Sequence, residues 1–559
     1  MEELILANCS FTGDFQLPSR PRLNLVGIDV SNNAITCQML SNNMTSIFPK
    51  LVDLNMSENA IDDGLILYEL SQMTSLDVLD LSDNHLSGEI PYNLFRNGSQ
   101  MTILSLSKNN LHGLIPPMLS ILSLLECLFL DGNILSGSIP SDFFNSSTIE
   151  LLDISNNHFI GKIPSQMNCP SLIELSMSNN HFEGSIPSAF ATLESIIYLD
   201  LSKNNLTGCI PSFVNSPISF IHLSNNNLTC FAERMFGEGS SIVTLDINNN
   251  EMRNEIHDLI HDLHHTRLSI LLMKGNHFTG NIPKSVCQMI HLNLLDLSYN
   301  DFVGEMPKCL GKMPFANKDP EESRKLFDGP TVGKQANINR FGKEKAAFTS
   351  KKRLEIYTIN VLIYMSGIDL SHNKLNGSIP SELGNLIRIR SLNLSNNFFI
   401  GKIPTTFSNL VQVESLDLSF NMLSGQIPPQ LTGLTSLEVF SVAHNNLSGP
   451  TPERKGQFIT FDQSSYEGNQ FLCGPPLPKS CNAPTLLPNG LNKDDGDDHI
   501  WVDMYVFCVS FVVAYTSILL VILIVLYINP YWRQAWFYYT GLMGMNSYYF
   551  IKDNLFCLF

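Results

Sequence analysis

The sequence predicts an α/β-type solenoid: a right-handed superhelix of stacked coils with parallel strands on its concave face, followed by one transmembrane helix. Three observations predict it. A unit of about 24 residues recurs from the first residue to about Pro452, a 73-residue spacing interrupts it once, and residues 504–528 carry no charge. A fixed period of this kind is the sequence signature of a stack in which each unit buries its apolar face only against its neighbours.

The repeated unit reads L-x-x-L-x-L-S-x-N-x-L-x-G-x-I-P, which is the leucine-rich-repeat pattern, and residues 76–91 are a clean copy. The leucines predict a short strand whose side chains point inward. The asparagine amide can donate and accept toward backbone groups of the adjacent coil. Glycine permits a backbone conformation that a Cβ disfavours, and proline begins the return path of the coil without needing a donor. We therefore predict thirteen coils, a gap and four more coils. The asparagine of each unit is here called its anchor, and Cys9 takes the place of the anchor in the first unit. The anchors that follow are Asn33, Asn59, Asn84, Asn109, Asn133, Asn157, Asn180, Asn204, Asn226, Asn250, Asn276 and Asn300, then Asn373, Asn397, Asn421 and Asn445.

Charge is distributed unevenly along the chain. The formal net charge is −18, which argues against nucleic acid as a partner. Residues 311–360 nevertheless hold eleven lysines and arginines against six acids, and the rest of the chain holds 23 basic and 46 acidic residues. A loop of this length inside a repeat array is either functional or disordered. We interpret it as a basic island that helps to bind a ligand or clamps a neighbouring face; the alternative is a solvated insertion without a role.

The C-terminal part has the features of a membrane anchor. Residues 504–528 are long enough to span a bilayer with some tilt. Acidic residues precede this segment and Arg533 follows it, which favours repeats outside the cell and a cytoplasmic tail. We thus predict a single-pass type I protein of the plasma membrane, organised as repeats at 1–310 without an N-terminal cap, the island at 311–362, repeats at 363–450, a C-terminal cap at 451–482, an acidic juxtamembrane segment at 483–503, the transmembrane helix at 504–528 and the tail at 529–559.

Cysteines and glycosylation sequons both indicate an oxidising compartment. Cys287 and Cys309 occupy similar positions in adjacent coils, and Cys473 and Cys481 flank a turn after the last coil. We predict that each of these two pairs forms a disulfide; the alternative is a pair of buried thiols. For Cys209 and Cys230 we weight a disulfide and two buried thiols about equally. The N-x-S/T sequons number ten: Asn8, Asn43, Asn55, Asn97, Asn145, Asn205, Asn227, Asn376, Asn393 and Asn446. Of these, Asn393 falls in a predicted strand and carries a glycan on the concave face or none.

Signals for catalysis are weak. The sequence holds no P-loop, no H-E-x-x-H and no kinase signature, so we predict neither an enzyme nor a cofactor. His257, His261 and His264 would share one face of a helical turn, a spacing that can bind metal. A polar loop on the convex side explains them better, and no metal site is predicted. Aspartates recurring in the strands form a stripe that we interpret as an exposed repeat position instead of an acid–base pair: Asp80, Asp200, Asp296, Asp369 and Asp417.

With these motifs in place, the chain resembles the plant leucine-rich-repeat receptor-like proteins over nearly its whole length. The S-G-x-I-P repeats carry the resemblance, together with M-S-G-I-D-L-S at 365–371 and E-G-N-Q-F-L-C-G at 467–474. It implies an extracellular ligand (a peptide, a glycan or a microbial protein) and signalling through adaptor and co-receptor receptor kinases in defence or development. Lys351 and Tyr357 match the family's island pattern of Lys, five residues, Tyr. The residues expected to bind ligand or co-receptor are Asp296, Tyr299, Lys351, Tyr357, Asp369 and His372.

The chain departs from the family's pattern in three places. Met1 opens directly inside a repeat, without a signal peptide or an N-terminal cysteine cap. The predicted span lacks Gly-x-x-x-Gly and offers only Ser510 and Ala514 as a small-residue pair. The tail holds just two basic residues, Arg533 and Lys552. The alternative functions are therefore a membrane-anchored structural or inhibitory binding protein, or a truncated non-functional copy.

Overall fold

The computed structural model describes residues 2–14, 21–36, 44–62, 64–95, 100–116, 124–253, 255–313, 324, 327 and 344–481. The predicted juxtamembrane segment, transmembrane helix and tail lie outside these residues. Within them, we find no helix with the length and apolar character needed to cross a bilayer.

A parallel sheet with one short strand per coil, here called the main sheet, organises the fold. Each strand pairs with that of the next coil, as in Val78–Asp80 against Ile103–Ser105. The predicted leucine-rich-repeat stack is confirmed, and this sheet lines the inner face of such a horseshoe. Within the described ranges the main sheet has seventeen strands: Glu3–Ile5, Gly27–Asp29, Asp53–Asn55, Val78–Asp80, Ile103–Ser105, Cys127–Phe129, Leu151–Asp153, Glu174–Ser176, Tyr198–Asp200, Phe220–His222, Thr244–Asp246, Ile270–Leu272, Leu294–Asp296, Gly367–Asp369, Ser391–Asn393, Ser415–Asp417 and Val439–Ser441.

Further strands begin close behind the anchor asparagines and form smaller parallel sheets. One contains Ser87–Glu89, Asn110–Gly113, Ile134–Ser138, His158–Lys162, His181–Ser185, Asn205–Ile210 and Asn227–Phe231. Another contains Val303–Glu305, Lys374–Ser378, Phe398–Gly401, Met422–Gly425, Asn446–Pro450 and Phe471–Cys473. Thr12–Asp14 pairs with Ala34–Thr36.

Short helices complete the return paths of the coils. In the described part of the chain the α-helices are Met44–Ile47, Ile66–Leu70, His257–Leu263 and Ile359–Leu362. The 3₁₀ helices there are Tyr92–Phe95, Ser188–Thr192, Lys284–Gln288, Lys308–Lys312, Ser381–Asn385, Thr405–Asn409, Pro429–Gly433, Gly456–Ile459 and Gln463–Ser465. Several of the 3₁₀ helices follow the proline of the repeat, which fixes φ at the start of the turn.

The anchor asparagines join each coil to its neighbours. Asn84 is buried, and its Nδ2 donates to the carbonyl oxygens of Met56 (3.0 Å) and Leu81 (3.1 Å). Its Oδ1 accepts from the backbone N–H of Ile61 at 3.0 Å. The same three contacts recur along the stack, so backbone groups in the interior are satisfied without water. One contiguous apolar core runs beside this ladder from Leu25 to Leu472.

The 73-residue spacing is an insertion that leaves the stack unbroken. Strand Leu294–Asp296 pairs directly with Gly367–Asp369. The Nδ2 of Asn373 donates to the Leu297 carbonyl at 2.9 Å, as if the two coils were consecutive. The described part of the insertion forms an antiparallel hairpin of Lys345–Ser350 and Arg353–Thr358, here called the island hairpin.

Candidate functional site

The island hairpin folds back onto the main sheet. Phe348 is fully buried there, in an apolar cluster that includes Phe220, Ile270 and Leu294 from three coils and is separate from the core of the solenoid. Gly367 makes this approach possible, because a Cβ on that residue would lie 2.7 Å from two ring carbons of Phe348. A glycine within a strand often marks such a close approach.

A buried ion pair holds the start of the hairpin. Glu344 Oε2 lies 3.0 Å from His222 Nε2, and Asp246 Oδ2 lies 4.0 Å from His222 Nδ1. Burial lowers the pKa of His222, but the charge of Glu344, its contact with the imidazole and the nearby Asp246 carboxylate more than offset it and hold that pKa well above its usual value. The raised pKa favours the imidazolium form, which balances part of the surrounding negative charge.

The turn of the hairpin contacts the last coils. Lys351 and Lys352 both have positive φ, 53° and 61°, as the two-residue turn of a hairpin requires, although asparagine and glycine are the usual residues there. Lys351 Nζ lies 2.8 Å from carboxylate oxygens of both Glu414 and Glu438. These contacts offset the strain of a lysine in the left-handed region.

The structure corrects the expected exposure of two aspartates. Asp296 and Asp369 were expected on an exposed stripe, yet their exposed fractions are 0% and 1%. The cause is the island hairpin, whose Thr349 hydroxyl accepts from Lys274 Nζ at 2.9 Å and whose Phe348 ring lies against Gly367. A ligand therefore does not reach these carboxylates while the hairpin is in place.

The two aspartates are buried register partners in adjacent strands of the main sheet. Asp296 Oδ1 accepts from the backbone N–H of Ser298 at 3.0 Å and from its hydroxyl at 2.6 Å, whereas Oδ2 has no hydrogen-bond partner among the described residues. Burial and then the nearby charge of Asp369 raise the pKa of Asp296 to about 7. The pKa of Asp369 is raised as well, chiefly by burial.

The other four residues expected at the site lie around the hairpin. Tyr357 is half-buried and packs against the apolar cluster beneath the hairpin. Lys351 makes its ion pairs within the chain, as described above. Tyr299 and His372 stack with ring centroids 3.9 Å apart, and Tyr299 is half-exposed. They follow main-sheet strands of adjacent coils, and each has a positive φ. The hairpin and the Tyr299–His372 pair thus lie on neighbouring coils.

Cysteine pairs join adjacent coils at two places and close the last coil at a third. Within the described residues the disulfides are Cys209–Cys230, Cys287–Cys309 and Cys473–Cys481. Cys127 and Cys169 are buried and take part in none of these three disulfides.

The sequons differ in accessibility. Asn8, Asn145, Asn205, Asn227, Asn376 and Asn446 are exposed, and Asn43 and Asn97 lie outside the described residues. The two in main-sheet strands are half-buried, and their side chains are engaged. Asn55 Oδ1 accepts from Ser57, whereas Asn393 Nδ2 donates to Asp369 at 3.1 Å. A glycan on Asn393 would have to fit beside this half-buried contact, so we expect this sequon to stay unmodified.

The histidine cluster belongs to a short helix. His257 and His261 lie on the helix His257–Leu263, and His264 follows it. His264 Nδ1 contacts the His261 carbonyl, and the His264 and His265 rings lie 3.6 Å apart. No group of three potential metal ligands occurs in the portion of the chain that the structure describes.

Beside the hairpin, the main sheet carries a cavity of about 340 Å³, here called the acidic cavity. Asp200 and Asp246 contribute from the sheet, and Glu344, Lys345 and Ile356 contribute from the insertion. The site therefore combines residues of the repeats with residues of the insertion, which does not follow the repeat. Its geometry suits recognition of a ligand by shape and charge.

Phe348, Glu344 and His222 were not among the residues predicted from the sequence. Phe220, Ile270 and Leu294 are apolar at the outward-facing first position of their main-sheet strands. Val78, Ile103 and Leu151 are apolar at the same position and pack in a different cluster, so this position did not identify the surface that the hairpin covers. The residue that covers it lies in the insertion.

Fold and site together define a leucine-rich-repeat solenoid with a cavity on its main sheet. The family described as Leucine Rich Repeat matches residues 75–97, 148–169, 171–193, 195–216, 291–313, 366–386, 388–410 and 412–434. Two solved structures share the fold. The PEPR1–AtPEP1 complex has a TM-score of 0.58 at 24% identity, covering 83% of this chain and 71% of that one. The plant peptide hormone receptor RGFR1 in complex with RGF2 has a TM-score of 0.58 at 21% identity, covering 84% and 79%.

Proteins similar in sequence narrow the class of protein from leucine-rich-repeat proteins in general to receptor-like proteins. Cuscuta receptor 1 of Solanum lycopersicum is 60% identical over 210 residues, which cover 37% of this chain and 19% of that protein. Receptor-like protein 56 of Arabidopsis thaliana is 45% identical over 291 residues, covering 48% and 31%. The matches thus span about a fifth to a third of these relatives. The resemblance to the plant leucine-rich-repeat receptor-like proteins is confirmed over these stretches.

Proposed function

We propose that this chain is a cell-surface receptor-like protein without catalysis of its own. It recognises an extracellular ligand on the main sheet beside the island hairpin and signals through adaptor and co-receptor receptor kinases in defence or development. It is anchored by one span, with its repeats outside the cell. The observation that carries the proposal is the acidic cavity, which exists only because Glu344 and Ile356 of the insertion meet strands of the main sheet.

The relatives support the receptor role and a peptide ligand. Cuscuta receptor 1 carries the word receptor in its name, and RGFR1, which shares the fold, is a receptor for a peptide hormone. Among the ligand classes expected from the sequence, we therefore favour a peptide. A solenoid presents an extended surface that suits such a ligand.

The proposed contact with a kinase partner lies where the hairpin turn meets the last coils. Lys351 joins the turn to Glu414 and Glu438, so replacing it by glutamate would place three carboxylates together. Like charges at this distance repel, and the turn would leave the coils. The neighbouring turn residue Lys352 is exposed and offers a matched control.

The test uses the full chain expressed in plant cells, followed by its precipitation and quantification of associated receptor kinases by mass spectrometry. We expect Lys351→Glu and Tyr357→Ala to lower kinase association at least about 5-fold, which corresponds to roughly 1 kcal/mol. Lys352→Glu should leave it unchanged. Unchanged association in both test variants would contradict the proposed contact. A wild-type chain that binds ligand but associates with no receptor kinase would favour the inhibitory or structural binding protein.

A further inference from the structure

We propose that Asn376 carries an N-linked glycan whose first sugar packs on the ring of Phe398 and stabilises the pairing of two strands in adjacent coils. The inference goes beyond ligand recognition, and it rests on the proposed function only because the repeats must lie outside the cell. It depends on the register of these two residues, on their exposure and on the apolar surface around the ring.

Asn376 lies on the outer face of the smaller sheet that begins at Val303–Glu305, here called the side sheet. It is exposed in strand Lys374–Ser378, and the sequence Asn-Gly-Ser at 376–378 is a sequon. Glycosylation forms a bond between Nδ2 and C1 of an oligosaccharide and breaks the bond from that C1 to a lipid-linked diphosphate. The lipid diphosphate leaves, and the amide loses one proton. Exposure makes the Asn376 amide accessible to this reaction.

Phe398 is the register partner of Asn376 in the next strand of the side sheet. Adjacent strands lie about 4.8 Å apart. The two residues share the outer face, because the residues beside them, Leu375 and Phe399, are buried. The ring of Phe398 is 50% exposed. A sugar on Asn376 Nδ2 therefore begins about one strand spacing from an exposed aromatic ring.

The ring belongs to an exposed apolar surface. Ile400 and Met422, both half-exposed, are register partners on the same face of the side sheet. Adjoining large apolar side chains in this state mark a surface that something else covers. The C–H groups on one face of a sugar ring are attracted to the negative face of an aromatic ring, and the contact removes apolar area from water. A glycan on Asn376 is attached where it covers Phe398.

The other sequons on strands of this kind have polar register partners. These partners are Glu183 beside Asn205, Thr207 beside Asn227 and Ser424 beside Asn446. They offer a sugar no aromatic face at the register position. The proposed contact is therefore specific to Asn376, and the chain contains its own controls.

The experiment measures hydrogen exchange by mass spectrometry on the full chain expressed in plant cells, after glycan occupancy has been determined for each sequon. Asn376→Gln removes the glycan. We expect amides of strand Phe398–Gly401, whose sequence is unchanged, to exchange about 3-fold faster or more, because that strand loses the contact of its ring with the sugar. Asn205→Gln is the matched control and should leave the exchange of strand Glu183 belongs to, His181–Ser185, unchanged.

A second variant tests the ring itself. Phe398→Asn places at this position the residue that Asn205 and Asn446 provide in the same place of their repeats, directly after the anchor. In that background, removal of the glycan by Asn376→Gln should have no further effect on exchange. Cells treated with a mannosidase inhibitor retain oligomannose glycans, which an endoglycosidase trims to a single N-acetylglucosamine. This trimming should leave exchange slow, since the first sugar makes the contact.

The outcomes separate this inference from the receptor proposal. If no sequon of the chain carries a glycan, the repeats have not entered the secretory lumen and both proposals fail. If other exposed sequons are glycosylated and Asn376 is bare, this inference fails and the receptor proposal stands. If Asn376→Gln accelerates exchange equally with and without the Phe398 ring, or if trimming to one sugar makes exchange fast, the contact of the first sugar with the ring is wrong.

Discussion

The contact between Gly367 and Phe348 allows the island hairpin to be loosened without disturbing the solenoid. In Gly367→Ala, the new Cβ would lie 2.7 Å from two ring carbons of Phe348 and 3.5 Å from Leu294 Cδ2. Overpacking of this kind costs about 1–3 kcal/mol. We expect about 1–2 kcal/mol of it to fall on the hairpin, because the cluster around Phe348 is separate from the solenoid core and Gly367 stays in the main sheet when the hairpin opens.

Hydrogen exchange measured by mass spectrometry on the full chain tests this. We expect amides of the island hairpin to exchange about 5- to 30-fold faster, since exchange there reports the opening of a local unit. Amides of the main sheet should keep their rates. Gly27→Ala is the matched control: Gly27 also begins a main-sheet strand, and its new Cβ would make only an ordinary 3.4 Å contact with Glu3.

A double-mutant cycle isolates the contact. Phe348→Ala alone removes a fully buried ring and should free the hairpin, at a cost of about 3–5 kcal/mol. In that background Gly367→Ala should have no further effect, because the ring with which it collides is gone. Equal acceleration in Gly27→Ala, or an effect of Gly367→Ala that persists without Phe348, would refute the proposed close packing.

Three further predictions concern buried polar groups. His222 faces Glu344, Asp246, Asp200 and Tyr198, and its pKa is raised on folding. Its contribution to stability is therefore complete below about pH 6.5 and is lost as pH rises through the folded pKa. Hairpin exchange, corrected for intrinsic rates, should accelerate at alkaline pH, and a flat profile would show that the ion pair does not hold the hairpin. For Asp296 the sign is opposite: a carboxyl whose pKa rises from 3.8 to about 7 destabilises the fold increasingly between those values, so Asp296→Asn should raise Tm above pH 7 and change little below pH 4. Asn373→Ala removes the partner of three carbonyls and one N–H and should cost at least about 2 kcal/mol in a denaturant titration, whereas Asn385→Ala, on the surface, should cost little.

The repeated unit is sufficient to predict the stack. Every contact of the anchor ladder joins residues of the same coil or of nearby coils in the stack, as Asn84 shows with Met56 and Ile61. Such contacts follow from a repeated unit, since an amide placed at one position in every coil meets the same backbone groups each time. Even the interrupted spacing from Asn300 to Asn373 follows this rule, because the coil after the insertion takes the next place in the stack.

The place of the island hairpin on the main sheet depends on tertiary packing. Asp296 and Asp80 occupy the same place in the repeat, but Asp296 is fully buried and Asp80 is half-buried. The difference arises from the insertion, which reaches the sheet through contacts such as that of Glu344 with His222, 122 residues apart in sequence. The repeat places no constraint on an insertion, so its position is set by the apolar patch it covers and the buried charge it neutralises. Periodicity predicts the contacts between coils, whereas the contacts of the island hairpin depend on three-dimensional packing.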